Sequence, residues 1–335
     1  MKEWKVGVVG ALGLVGGVLL RVLEERSLPV GELRPFTSSR TAGERVTFRG
    51  KDMAAQTLAE DAVADLDVAF FAIGDDISRE WAPRFREAGV LVIDKSNAFR
   101  MEEGVPLVVP EINGEELGPP FPSLVASPNC TTIELAMVLH PLQKAAGLRS
   151  VAVATYQSVS GSGQKGLEVL ERESRGAPGE SPYLHPIHHN VLPHCDGFLP
   201  DGSTKEERKL RDETRKILGL PHLPVMALAV RVPVPVGHGV AAFVELEKEL
   251  TAAEAREVLG TSPGLLVWDD PQQGLYPTPR EVAGRDEVAV GRIRQDPERK
   301  NLLSFFVAAD NLRKGAATNA VQIWEGLMAR GWRGR

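Results

Sequence analysis

The segment Ser127-Pro128-Asn129-Cys130-Thr131-Thr132 places a thiol where a strand-like run, Leu124-Val125-Ala126, passes into a helix-like run from Ile133. Backbone N–H groups at a helix start carry partial positive charge, which lowers a thiol below its ordinary value of about 8.5 and makes a nucleophile of it. Read alone, the same residue is also a small buried apolar cysteine. Arg231-Val232-Pro233-Val234-Pro235-Val236-Gly237-His238 adds a cation and an imidazole, which face one pocket only if the chain bends near Pro235-Val236-Gly237. An imidazole can shuttle protons near neutral pH, although a histidine there reads equally as a core or surface residue. Gln157 ends a strand-like run that opens into Ser158-Val159-Ser160-Gly161-Ser162-Gly163. Glycines there let backbone approach a ligand closely, and a plain strand-to-helix connection would use them too.

Gly10-Ala11-Leu12-Gly13-Leu14-Val15-Gly16 follows a buried strand pattern over 5–9 and precedes a helical pattern over 18–25. The spacing is G-x-x-G-x-x-G; with a strand before and a helix after, it predicts a turn that holds a pyrophosphate at the helix N-terminus. A tight packing turn is the plainer alternative. No acidic residue ends the second strand, where NAD sites bind the ribose hydroxyls; Thr37-Ser38-Ser39-Arg40 offers hydroxyls and a cation suited to a 2′-phosphate. NADP is therefore the expected cofactor. Arg100 closes Asp94-Lys95-Ser96-Asn97-Ala98-Phe99-Arg100 beyond a strand's carboxyl end, and reads either as an anion site or as a surface arginine. Thr204 and Glu207 have capping-box spacing at the start of a charged helix, on which Glu206 and Lys209 share one face. By itself that face reads as solvated. His185, His188, His189, His194 and Cys195 crowd one loop, but their spacing fits no zinc pattern and no metal is expected.

Positioning these residues takes two kinds of scaffold. Candidate strands at 5–9, 33–37, 68–73, 90–93, 107–109 and 124–126 alternate with helical or loop segments such as 77–88, which predicts a doubly wound, Rossmann-like parallel sheet. After Cys130, strand patterns at 151–156, 227–236, 240–246, 288–293 and 302–308 are joined by long or proline-rich loops, with helices at 164–174, 205–218 and 252–259. These predict an α+β domain with a largely antiparallel sheet. The fold class is α/β, with a first domain over 1–132, a second over 133–314, and a last helix within 315–335 returning to the first. A length of 335 residues agrees with two domains of roughly 100–200 residues each.

Composition narrows the functional classes. Hydrophobic content of 43% with 25% charged residues is ordinary for a soluble protein, and a net charge of -6 argues against nucleic acid as a general partner. The apolar run over 6–20 is interrupted by glycines, leads into Arg21 and Glu24-Glu25, and is too short to span a bilayer. Neither a signal peptide nor a membrane association is expected. Cys130 and Cys195 cannot build a disulfide framework, and they fit a reducing cytoplasm.

In order and spacing these segments, together with Asp310-Asn311-Leu312-Arg313-Lys314-Gly315-Ala316-Ala317, resemble the aspartate-semialdehyde dehydrogenase family over nearly the whole chain. The resemblance implies an NADP-binding first domain and a second domain for catalysis and homodimerisation. Carried over by position, it makes Cys130 the acylated nucleophile, His238 the general acid/base and Gln157 an orienting group. Arg231 would grip the substrate carboxylate, Arg100 and Lys209 the phosphate, and Glu206 would lie near the substrate amino group, with Asn129 close to the reacting centre. Asn311 and the loop at Ser160-Gly161 would sit by the nicotinamide. The implied activity is phosphate-dependent: aspartyl phosphate is reduced through a Cys thioester to aspartate semialdehyde, releasing inorganic phosphate, in lysine, threonine, methionine and diaminopimelate biosynthesis. Two positions depart from the family: Leu12 stands where threonine is frequent, and Gly239 where serine is frequent. An acyl-CoA reductase of malonyl-CoA type, with the same thioester chemistry, and a non-catalytic dinucleotide-binding relative are the alternatives. The latter would be expected to lack the nucleophile or the base.

Overall fold

Unbroken apolar runs make strands that can be buried on both faces, and all four residues of Val68–Phe71 and of Leu91–Asp94 are buried. The computed structural model describes residues 2–334. One unit runs to Pro128 and resumes at Ala316, and the other spans Asn129–Gly315.

In the first unit a six-stranded sheet has the order Gln56–Thr57, Val30–Thr37, Trp4–Val9, Val68–Phe71, Leu91–Asp94, Leu124–Ala126. Every neighbouring pair is parallel. Parallel neighbours require crossovers, and the helices Leu14–Glu25 and Asp75–Glu87 supply two of them. The late helix Thr318–Ala329 belongs to this unit, where Trp324 meets the rings of Trp4 and Phe70 edge-on, with centroids 6.0 Å away in each case.

The second unit carries another six-stranded sheet, in the order Val225–Arg231, Leu148–Gln157, His238–Leu246, Leu302–Ala309, Val288–Gln295, Leu265–Val267. Its three inner pairings are antiparallel and its two edge pairings parallel, so the sheet is mixed. Register brings Arg231 opposite Gln157, Gly239 opposite Tyr156 and His238 opposite Ala309. One end of this sheet thus gathers Gln157, Arg231 and His238.

Several elements differ from their sequence patterns. Residues 107–109 form no strand; Leu107 makes a single parallel bridge to Ala126, and the Val109 N–H donates to Asn113 Oδ1 at 3.0 Å instead of to a ladder. Pro110 then opens the short helix Pro110–Asn113. The strand expected over 227–236 ends at Arg231, because Pro233 and Pro235 have no N–H to continue pairing. A hairpin, Arg45–Phe48 with Lys51–Ala54, has no counterpart in the sequence reading, and its turn has positive φ at Arg49 and Gly50, 50° and 71°.

Candidate active site

Asn129 sets the position of the thiol. Its Oδ1 accepts from the N–H groups of Thr131 and Thr132, at 3.0 and 3.2 Å, capping the helix Cys130–Ala146. Its own N–H donates to Glu213 Oε2 at 2.7 Å and its Nδ2 to Glu206 Oε1 at 2.9 Å. Both acids lie on helix Lys205–Leu218, so the start of the nucleophile helix is clamped by a second helix. Thr204 and Glu207 form the reciprocal capping box that starts this second helix.

Cys130 Sγ lies 3.3 Å from His238 Nε2. The chain bends through 232–237 to bring the imidazole there: Gly237 has φ +91°, and its N–H donates to Asn311 Oδ1 at 3.0 Å. On the far side of the ring, Nδ1 accepts from the Ser158 N–H at 3.0 Å and lies 3.0 Å from Ser158 Oγ. Burial, aided by the Arg231 charge, holds this histidine well below its usual range, so it is neutral at pH 7. A side-chain carbon on Gly161 would lie 2.6 Å from Arg231 Nη1 and 3.2 Å from His238 Cε1. Any side chain there would have to displace the Arg231 guanidinium.

Around the pair runs a polar network within the same unit. Gln157 Nε2 donates to Glu206 Oε1 at 3.2 Å. Lys209 Nζ donates to Asp196 at 2.7 Å and to Glu206 at 3.2 Å. Burial pushes the Glu206 carboxyl up, but Lys209, the Asn129 amide and Arg231 outweigh it and hold the group below its ordinary value. Glu206 is therefore an ionised, buried acid and not the solvated residue expected from its charged surroundings. Arg231 Nη1 donates to the Ser158 carbonyl at 2.8 Å, while its buried Nε has no hydrogen-bond partner among the described residues. Asn311 exchanges hydrogen bonds with Ser160, its Nδ2 donating to Oγ at 3.0 Å. Asn129, Cys130, Gln157, Ser160, Gly161, Glu206, Lys209, Arg231, His238 and Asn311 are thus linked by contacts in one unit.

The remaining candidates belong to the first unit. Gly10 has φ +87°, and its N–H and that of Ala11 donate to the Phe36 carbonyl at 2.9 and 3.1 Å. A side chain at Gly16 would collide with the Gly10 carbonyl. Gly13 caps the helix Leu14–Glu25 without a side-chain acceptor, so no capping side chain occupies the N–H groups of the first turn, which includes Leu14 and Val15. Leu12 is half-buried in this turn. Thr37 Oγ1 lies 2.6 Å from Thr41 Oγ1, and Ser38, Ser39 and Arg40 are exposed just past the strand. The turn and this strand end fit a dinucleotide: one supplies close backbone approach, the other hydroxyls and a cation. Arg100 is buried and not a surface arginine; its Nε donates to the Ser127 carbonyl at 3.0 Å and its Nη2 to that of Lys95 at 2.7 Å.

Sequence reasoning passed over Ser158, Asp196 and Glu213. Glu213 carries a readable signal, since it stands seven residues after Glu206 and so on the same helix face. The departure at Gly239 also has a counterpart: a side-chain carbon there would meet Phe306 Cζ at 2.5 Å.

A dinucleotide-type glycine turn on a parallel sheet and a thiol–imidazole pair at one end of a mixed sheet define a two-unit nucleotide-fold protein with a candidate nucleophile. Residues 5–118 match the NAD binding domain of semialdehyde dehydrogenases and residues 139–314 their dimerisation domain. The aspartate-semialdehyde dehydrogenase of Aquifex aeolicus is 46% identical across 98% of this chain and 99% of its own length, and that of Bacillus subtilis 39% identical across 96% of each. The crystal structure of aspartate semialdehyde dehydrogenase II from Vibrio cholerae, complexed with ASA, superposes with a TM-score of 0.94 at 38% identity, covering 99% of this chain and all of that one. The chain belongs to the aspartate-semialdehyde dehydrogenase family.

Proposed function

We propose that the protein catalyses the NADP-dependent reduction of L-4-aspartyl phosphate to L-aspartate 4-semialdehyde with release of inorganic phosphate. The observation that carries this reading is Cys130 Sγ at 3.3 Å from His238 Nε2, at the first residue of a capped helix. In the proposed cycle the sulfur bonds to the acyl carbon and the bond from that carbon to the phosphate oxygen breaks, leaving a thioester. The dinucleotide, when bound, supplies hydride to that carbon. The C–S bond then breaks and its electron pair returns to sulfur as the aldehyde forms.

Each neighbouring residue has a role in this reading. The positive end of the helix that begins at Cys130 steadies the oxyanion, and His238 acts as general acid/base. Gln157 orients the acyl group and Asn129 holds the helix start beside it. The unused Nε of Arg231 is a donor for the substrate carboxylate, and ionised Glu206 suits the substrate ammonium. Arg100 and Lys209 serve the phosphate. Gly10, Gly13 and the first turn of the following helix would hold the pyrophosphate, Ser38, Ser39 and Arg40 the 2′-phosphate, and Ser160, Gly161 and Asn311 the nicotinamide.

The same reading makes the protein a cytoplasmic homodimer serving amino-acid biosynthesis. Among the described residues no helix is long and apolar enough to cross a membrane. Met226, Leu228, Tyr156 and Phe243 are exposed on one face of the mixed sheet, a partner surface for a second copy. NADP reduction by aspartate semialdehyde, measured with and without inorganic phosphate and with coenzyme A in its place, tests the activity. Phosphate is expected to be required, and coenzyme A dependence would turn the assignment to an acyl-CoA reductase. Cys130→Ala is expected to abolish turnover while retaining NADP binding.

A further inference from the structure

A side-chain carbon on Gly315 would lie 2.9 Å from Cys130 Cβ and 3.3 Å from Cys130 Cα. We propose that Gly315 is a positioning residue for the nucleophile: its bare Cα is the stop against which Cys130 rests, and it keeps Sγ within reach of His238 Nε2. The inference rests on the reading of Cys130 and His238 as the reacting pair.

No change of rotamer moves a Cα or a Cβ. The contact therefore differs from the one at Gly161, where the nearest atom is the far end of an arginine. Carbon atoms pack at about 3.5–4.0 Å, so a methyl group at 315 would drive the two segments about 0.6–1.1 Å apart. The helix start cannot retreat freely, because Asn129 ties it to Glu213 and Glu206 at 2.7 and 2.9 Å.

Gly315 is itself held in place by a wide turn. Its N–H donates to the Asp310 carbonyl, five residues back, at 3.1 Å, and it lies in the π-helical stretch Arg313–Ala317. Such turns are rare and recur at functional sites. The Asp310 carboxylate anchors this one: Oδ1 accepts from the N–H groups of Leu312 and Arg313 at 2.8 and 3.2 Å, and Oδ2 from that of Gly284 at 2.7 Å. The same short segment governs the imidazole. Ala309 pairs with His238 across the sheet, and Asn311 Oδ1 accepts the Gly237 N–H at 3.0 Å. Residues 309–315 thus align the base at one end and stop the cysteine at the other. Whichever side yields to an added carbon, the 3.3 Å spacing of Sγ and Nε2 changes.

Gly315→Ala adds that one carbon. In NADP reduction by aspartate semialdehyde it is expected to lower kcat about 100-fold and to change KM less than about twofold. Iodoacetamide labelling of Cys130 at pH 7, followed by intact mass in the absence of substrates, gives a readout that mere loosening would move the other way. A sulfur displaced from the imidazole is expected to react about tenfold more slowly, whereas an opened fold would react faster and expose the buried Cys195 as well. A folded Gly315→Ala protein with parental kcat and labelling rate overturns the proposal, and so does faster labelling. Should circular dichroism show that variant unfolded, Asp310→Asn decides. It keeps one acceptor oxygen but turns an amide donor on another N–H of the turn, and is expected to lower kcat about tenfold and labelling about threefold; parental values overturn the proposal. The underlying reading fails by a different result, namely turnover in Cys130→Ala.

Discussion

Glu206 is the residue whose removal should be felt most widely, because it joins the nucleophile helix to the helix beneath it. Its Oε1 accepts from Asn129 Nδ2 at 2.9 Å and from Gln157 Nε2 at 3.2 Å, and its Oε2 pairs with Lys209 at 3.2 Å. In Glu206→Ala both amide donors lose their acceptor, at about 1–3 kcal/mol each, so a loss of about 2–6 kcal/mol is expected. Lys209 keeps Asp196 at 2.7 Å and is partly exposed, so its own contribution is small. Glu206→Gln keeps one acceptor oxygen but turns an amide donor toward Lys209, and should cost less, about 1–2 kcal/mol. Urea denaturation followed by tryptophan fluorescence and circular dichroism measures both. The carboxyl's folded value lies below its unfolded one, so the folded state releases its proton first as pH rises. Its stabilisation is therefore complete above the unfolded value and is lost as pH falls through the folded one, by up to about 1.4 kcal/mol per pH unit. Glu206→Gln should lack this acid dependence. A Glu206→Ala protein within about 0.5 kcal/mol of the parent would refute the clamp.

Other outcomes follow from the same geometry. Arg231→Lys removes the buried Nε and the planar fork, and should raise KM for aspartate semialdehyde by about 10-fold or more, measured in steady-state NADP reduction. Glu134 is fully buried, neither carboxyl oxygen has a hydrogen-bond partner among the described residues, and burial, helped by Asp310, pushes its carboxyl well up. Glu134→Met should therefore stabilise by about 1–3 kcal/mol at neutral pH in urea melts. The sign with pH is opposite to that of Glu206. Above the ordinary carboxyl value the unfolded chain has released a proton that the folded chain retains, so this group's contribution to stability falls as pH rises, and Glu134→Met should flatten that decline.

The parts legible in the chain were those where backbone geometry restricts residue type. Gly10 needs positive φ and Gly16 must let the Gly10 carbonyl pass, so the turn announces itself. Thr204 and Glu207 marked a helix start because the capping box is local. The bend before His238 followed from two prolines and a glycine. What stayed hidden depends on residues distant in sequence. A charged helix reads as solvated until something packs on it, and Asn129, 77 residues earlier, is what buries Glu206. Leu107 looks like a strand residue because β-propensity says nothing of where its neighbours' N–H groups go, and Val109 gives its own to Asn113. Ser158 escaped because its contribution comes partly from the main chain, which no side-chain pattern encodes.

The second cysteine makes the first one countable. Cys195 is buried and its thiol is pushed up to about 12, mainly by burial. At pH 8 about one molecule in ten thousand carries that sulfur as thiolate, too few for an alkylating reagent to find. Cys130, partly exposed and faced by the imidazole, is the other of the two cysteines in the sequence. A haloacetamide added to the folded protein should bind once per subunit, and its incorporated mass becomes a head count of competent sites in any preparation.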